Sequence, residues 1–113
     1  MANESGIIYK RKHPRKSFRK AVSFMCDGVS NLGNAIEIGE GGMAFSSHVK
    51  IDVNKKLILN FFLSDKEFFS VRVTLLNVSN KSDIFTYGTS FDQVSIALKR
   101  QIRAYVARGA LNS

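Results

Sequence analysis

The sequence predicts a mainly β protein, a six-stranded antiparallel barrel with one C-terminal α-helix. Three observations predict it. Short runs rich in Val, Ile, Leu and Phe recur along the chain, separated by clusters of Gly, Asn, Asp and Ser. Past Asp92 the apolar spacing changes from alternation to the three-and-four pattern of a helix. At 113 residues the chain is expected to form one domain, large enough for a real core without disulfide staples.

The elements follow in order. Residues 1–9 read as a flexible N-terminal segment, and residues 10–113 as the domain. Within it, residues 10–20 read as a basic loop, because Pro14 removes a backbone donor and biases His13 toward extended geometry. The barrel is placed at residues 21–91. Ala21 to Cys26 is its first strand, with Val22 and Phe24 facing inward. Asp27 to Asn34, with Gly28 and Gly33 among polar residues, reads as a loop. Asn34 to Ile38 and Met43 to Ser46 read as short strands, joined by a tight turn whose adjacent glycines, Gly39 to Gly42, permit positive φ.

After a loop at Asp52 to Lys55, the segments Lys56 to Leu63 and Phe69 to Val78 read as a pair of strands across the polar connection Ser64 to Glu67. In the second, Val71, Val73 and Leu75 alternate with Arg72, Thr74 and Leu76. Of the pairs Phe61–Phe62 and Phe68–Phe69, only one member each can face inward. Asn77 to Asp83 reads as a polar turn and Phe85 to Phe91 as the last strand. The helix is placed at residues 94–109, with Asp92 or Ser95 as its cap and Gly109 suited to its end. Val94, Leu98, Ile102, Tyr105 and Val106 form its packing stripe. Lys99, Arg100, Arg103 and Arg108 point elsewhere.

Composition narrows the function. Seventeen Lys and Arg against nine Asp and Glu give a net charge of +8, so an anionic partner is expected. Cys26 is the lone cysteine, which excludes an internal disulfide and suits a reducing cytoplasm. The longest greasy stretch, Leu57 to Leu63, is interrupted by Asn60 and too short to span a bilayer, so no membrane insertion is expected. His13 and His48 are far apart in sequence and Cys26 stands alone, a pattern that indicates neither a metal site nor a nucleophile–base pair. Glu37 and Glu40 are read as solvated turn carboxylates. An enzyme is not expected, nor a cofactor.

Two motifs carry the functional reading. Lys10 to Lys20 holds seven of the seventeen basic residues, with Arg11, Arg15 and Arg19 four apart. Arginine's planar fork donates two parallel hydrogen bonds, which suits phosphate and the acceptor edge of guanine. About twenty residues on comes Glu37-Ile-Gly-Glu-Gly-Gly42, at the turn between two strands. A carboxylate there can accept from guanine N1 and N2, and glycine lets backbone approach a flat base. Gly88-Thr-Ser-Phe91 then ends the last strand.

Arg15-Lys-Ser-Phe-Arg19 as R-x-x-x-R before a strand, the glycine turn, and the Gly-Thr-Ser-Phe before the helix together resemble the PilZ domain, over roughly Lys12 to Arg108. That family is a bacterial receptor module for cyclic di-GMP, with the signature R-x-x-x-R paired with D/N-x-S-x-x-G. The resemblance implies a split six-stranded barrel with a C-terminal helix, and an arginine loop that folds over the nucleotide and signals by its ordering to a protein partner, in motility, attachment or virulence. It implies that Arg15 and Arg19 grip phosphates and guanine acceptors, with Arg11 an alternative start of the same motif. Glu37 stands where the family has Asp or Asn, Gly39 where it has Ser, and Gly42 at the matching glycine. Gly39 lacks the serine hydroxyl, a loss of about 0.5–1.5 kcal/mol per neutral hydrogen bond. Glu37 carries one methylene more.

Two other functions fit parts of the sequence. A degenerate adaptor of the same fold would bind proteins and not the nucleotide. A small basic barrel binding single-stranded nucleic acid would need aromatics exposed on a sheet face, and is ranked last because Phe falls mainly where strands need core.

Overall fold

The computed structural model of the chain describes residues 14–112; the expectations for residues 1–9, Arg11 and His13 fall outside them. Among the described residues there are seven strands and one helix: β1 (Arg15–Ser17), β2 (Ala21–Cys26), β3 (Val29–Gly39), β4 (Gly42–Ser47), β5 (Lys56–Ser64), β6 (Glu67–Lys81), β7 (Ile84–Gln93) and α1 (Ile96–Asn112). The antiparallel order β3-β2-β5-β6-β7-β4 closes through a β3–β4 pairing, giving the six-stranded barrel; β1 is an added strand on β3.

Several boundaries differ from the sequence reading. Asp27 to Asn34 is no loop: only Asp27 and Gly28 turn, at φ 53° and 81°, and β3 starts at Val29. A two-residue hairpin with both φ positive is where Asp-Gly is favoured. Gly33 lies within β3, at a position where an added Cβ would sit 2.6 Å from the Ser46 carbonyl oxygen, so glycine serves close approach there and not a turn. Asn77 to Lys81 continues β6, and the turn is confined to Ser82 and Asp83. Three residues of the basic loop form β1. The helix begins at Ile96 and runs past Gly109 to Asn112; Ser95 is its cap, its Oγ accepting from Leu98 N at 3.0 Å.

The core follows the alternation. Val22 and Phe24, then Val71, Val73 and Leu75, are all buried, and the helix contributes Leu98, Ile102 and Val106. Phe24, Phe45 and Tyr87 form an aromatic column, with centroids 5.1 and 5.3 Å apart. Phe61 is buried and Phe62 exposed. Phe68, also exposed, meets the Phe62 ring outside the barrel at 4.9 Å, and Phe69 packs at the core's edge.

The site depends on β3. Its first half pairs with β2, from Val29↔Cys26 to Asn34↔Ala21, and its second half with β4, from Asn34↔Ser46 to Gly39↔Gly42. A bulge between Ala35 and Glu37 shifts the β3–β4 register. Alternation would otherwise send Glu37 into the barrel on the same face as Ala35. The extra residue, Ile36, reverses the parity, so Ile38 enters the core and Glu37 faces out.

Candidate functional site

β1 and β2 lie one after the other along β3. The pairs Arg15↔Gly39, Lys16↔Ile38 and Ser17↔Glu37 hold the first, and the ladder resumes at Ala21↔Asn34. Between them the chain steps aside opposite the bulge, with Phe18 N donating to Ile36 O at 2.9 Å and Ala35 N to Lys20 O at 2.8 Å. Phe18 uses the gap to enter the core, where it is 1% exposed and meets Phe61 and Tyr105 edge-on at 6.0 and 5.6 Å. The arginine segment is therefore pinned at its middle by a buried ring, with Arg15 on one side and Arg19 on the other. Sequence reading passed over Phe18. Its signal was present: an aromatic three residues ahead of a strand, inside a run otherwise cationic.

The fold brings Arg15 and the glycine turn together. Arg15 sits opposite Gly39 and reaches diagonally to Glu37, its Nη1 3.0 Å from Oε1. A Cβ on Gly39 would stand 2.9 Å from Arg15 Cγ and 2.8 Å from the Pro14 carbonyl oxygen, so glycine leaves the path that the side chain takes. Gly42 answers to a different contact, because a Cβ there would collide with the Thr89 carbonyl oxygen on β7. Neither glycine has the positive φ that the sequence suggested; close approach is what both are needed for. Arg19 is exposed and makes no hydrogen bond or ion pair among the described residues.

The helix closes the site from the other side. Glu40, at the hairpin tip, accepts from Arg103 Nε at 3.1 Å and Nη2 at 2.9 Å, and this contact raises the Arg103 pKa above its ordinary value. Neither hairpin glutamate is the solvated carboxylate expected from sequence, and Arg103 does not simply face solvent. Tyr105 donates its hydroxyl to Ser17 O at 3.2 Å, while Lys16 Nζ lies 3.9 Å above the Tyr105 ring. Helical spacing places Tyr105 toward the barrel and gives no link to the arginine segment. These residues are separated by 63 to 89 positions, and local pattern carries no trace of such pairings.

Clefts of about 260 and 370 Å³ open at the other end of the barrel, both lined by Lys50, Ile51 and Asp52, and hold none of the residues that the motifs mark. The Cys26 thiol there is held above its ordinary pKa by burial first and by Asp27 second. Among the described residues no group of His, Cys, Asp and Glu could hold a metal, and no helix is long and apolar enough to cross a membrane.

Fold and site together define a small β-barrel domain with an arginine strand laid against a glycine hairpin. The sequence model of the PilZ domain matches residues 9–108, and the chain belongs to the PilZ domain family. No curated protein matches it. Solved structures with the same fold include the inhibitor of motility MotI/DgrA of Bacillus subtilis, at TM-score 0.82 and 15% identity over 92% of this chain and 53% of that one. The PilZ domain of YcgR from Escherichia coli, solved with c-di-GMP, superposes at TM-score 0.72 and 14% identity over 91% of this chain and 95% of that one. The Borreliella burgdorferi PlzA protein, in complex with c-di-GMP, gives 0.67 and 15% over 92% and 44%. The chain thus spans about half the length of the first and third of these.

Proposed function

We propose that this chain is a receptor for cyclic di-GMP, the nucleotide in the YcgR and PlzA structures, and that it relays binding to a protein partner. One observation carries the reading: the fold sets Arg15 directly across from Gly39, beside the hairpin that the second motif forms. An arm on the far side of the barrel would have ended it. In this reading Arg15 and Arg19 take phosphate and guanine acceptors, and Gly39 and Gly42 let the hairpin pack against β1 and β7 so that the arginine strand lies beside it. Arg11 belongs to the same basic segment. Because β1 already places Arg15 to Ser17, the change a partner reads is a shift in the contacts joining β1 to α1 at Lys16, Ser17 and Tyr105. The setting is cytoplasmic and bacterial, and regulation of motility is supported by the likeness to MotI/DgrA.

The adaptor reading is favoured by a different observation: Arg15 is already bound to Glu37. A nucleic-acid surface is supported least, since of nine Phe only Phe62 and Phe68 are strongly exposed. Calorimetric titration with cyclic di-GMP tests the reading. Binding at micromolar concentration or tighter is expected, lost in both Arg15→Ala and Arg19→Ala. Heat-free titrations at high protein concentration would leave the adaptor, and tight oligonucleotide binding indifferent to these arginines would leave the third.

A further inference from the structure

The geometry points to Glu37 as an internal competitor for the ligand's phosphate, a carboxylate that occupies the Arg15 guanidinium and must be displaced before the nucleotide binds. This rests on the receptor reading and changes the part Glu37 plays in it, from acceptor of guanine donors to regulator of the arginine. Three features of the chain create the contact. The Ile36 bulge turns Glu37 outward, register sets Arg15 two positions from it on the neighbouring strand, and Gly39 clears the way between. The extra methylene of Glu over Asp extends the carboxylate toward a guanidinium that a shorter side chain reaches less well.

Competition follows from charge and shape. Carboxylate and phosphate are both targets of the guanidinium fork, so they seek the same donors. Where the donors suffice for both, the carboxylate still opposes a second anion beside it, as like charges in one site do. The pair is sheltered, with side chains 24% and 28% exposed, whereas in Lys20–Asp65 the aspartate is fully exposed. Solvent and salt therefore weaken it less. A site whose competent form is only partly populated binds with affinity reduced by that fraction.

The experiment is calorimetric titration of cyclic di-GMP into the full chain and into Glu37→Gln, which keeps the shape and removes the charge. Glu37→Gln is expected to bind roughly two- to tenfold more tightly than the parent. Glu37→Asp, which withdraws the carboxylate by one methylene, carries the same expectation in lesser degree and serves should the Gln variant fail to fold. Equal or weaker binding by the folded Gln variant, with the parent still binding, overturns the proposal and restores Glu37 as a guanine acceptor. Binding by neither parent nor variant removes the receptor reading itself, and the proposal with it.

Discussion

Arg103 on the helix grips Glu40 at the tip of the β3–β4 hairpin through two hydrogen bonds, across 63 residues of sequence. The fork geometry is specific, and Glu40 is largely covered, its side chain 13% exposed. Arg103→Ala should therefore loosen the hairpin tip and leave the barrel intact. Hydrogen exchange is the measurement: faster exchange at Glu40 and Gly41 with unchanged protection in β5 and β6. Uniformly faster exchange would mean that the contact supports the whole fold.

Phe18 anchors the arginine segment in the core. Phe18→Ala should cost about 3–5 kcal/mol, as large-to-small aromatic changes in cores do. That is a sizeable share of the total stability of a domain, so urea denaturation will show a lower midpoint. Phe18→Leu should cost much less, because most of the volume is kept.

The two hairpin glycines should differ. Gly42→Ala drives a methyl into the Thr89 backbone, where neither side can give, and is expected to prevent folding or sharply lower the melting temperature. Gly39→Ser meets the Pro14 carbonyl and the flexible Arg15 side chain, and should cost about 1–3 kcal/mol by displacing β1. Read from sequence alone, that serine would add a hydrogen bond; read from the fold, it also pushes Arg15 from its path. Thermal melts of both variants separate the cases.

Asp92 gives a pH signature. Burial raises its pKa, but hydrogen bonds from Thr74 and Lys56 and the charges of Lys56 and Arg72 outweigh that and hold it below the usual carboxylate value. A carboxylate depressed in the folded state stabilises above its unfolded pKa, and that contribution is lost as pH falls through the folded one. Asp92→Asn should thus be less stable than the parent at neutral pH, with the difference vanishing under strongly acid conditions. Denaturation curves at the two pH values check the sign.

Barrel and helix were legible because burial imposes its period on the sequence: Val71, Val73 and Leu75 alternate, and Leu98, Ile102 and Val106 recur at helical spacing. Arg15 and the hairpin were legible as motifs. What local pattern could not supply was the use made of them. Charge and proline made Arg15 to Ser17 read as a loop, yet three residues become a strand when an edge of β3 is waiting. Gly33 looked like a turn because glycine often marks one; here it yields room to the Ser46 backbone. The Arg15–Glu37 and Arg103–Glu40 pairs arise only when distant segments meet.

Ile36 has a consequence for anyone exchanging segments among members of this fold. Loss of that single codon would straighten β3 into plain alternation, leaving Glu37 outward and Ile38 inward, and would remove the carbonyl that receives Phe18 N. A chimera whose β3 lacks the bulge would therefore keep the faces of the strand and forfeit the seat of the arginine arm.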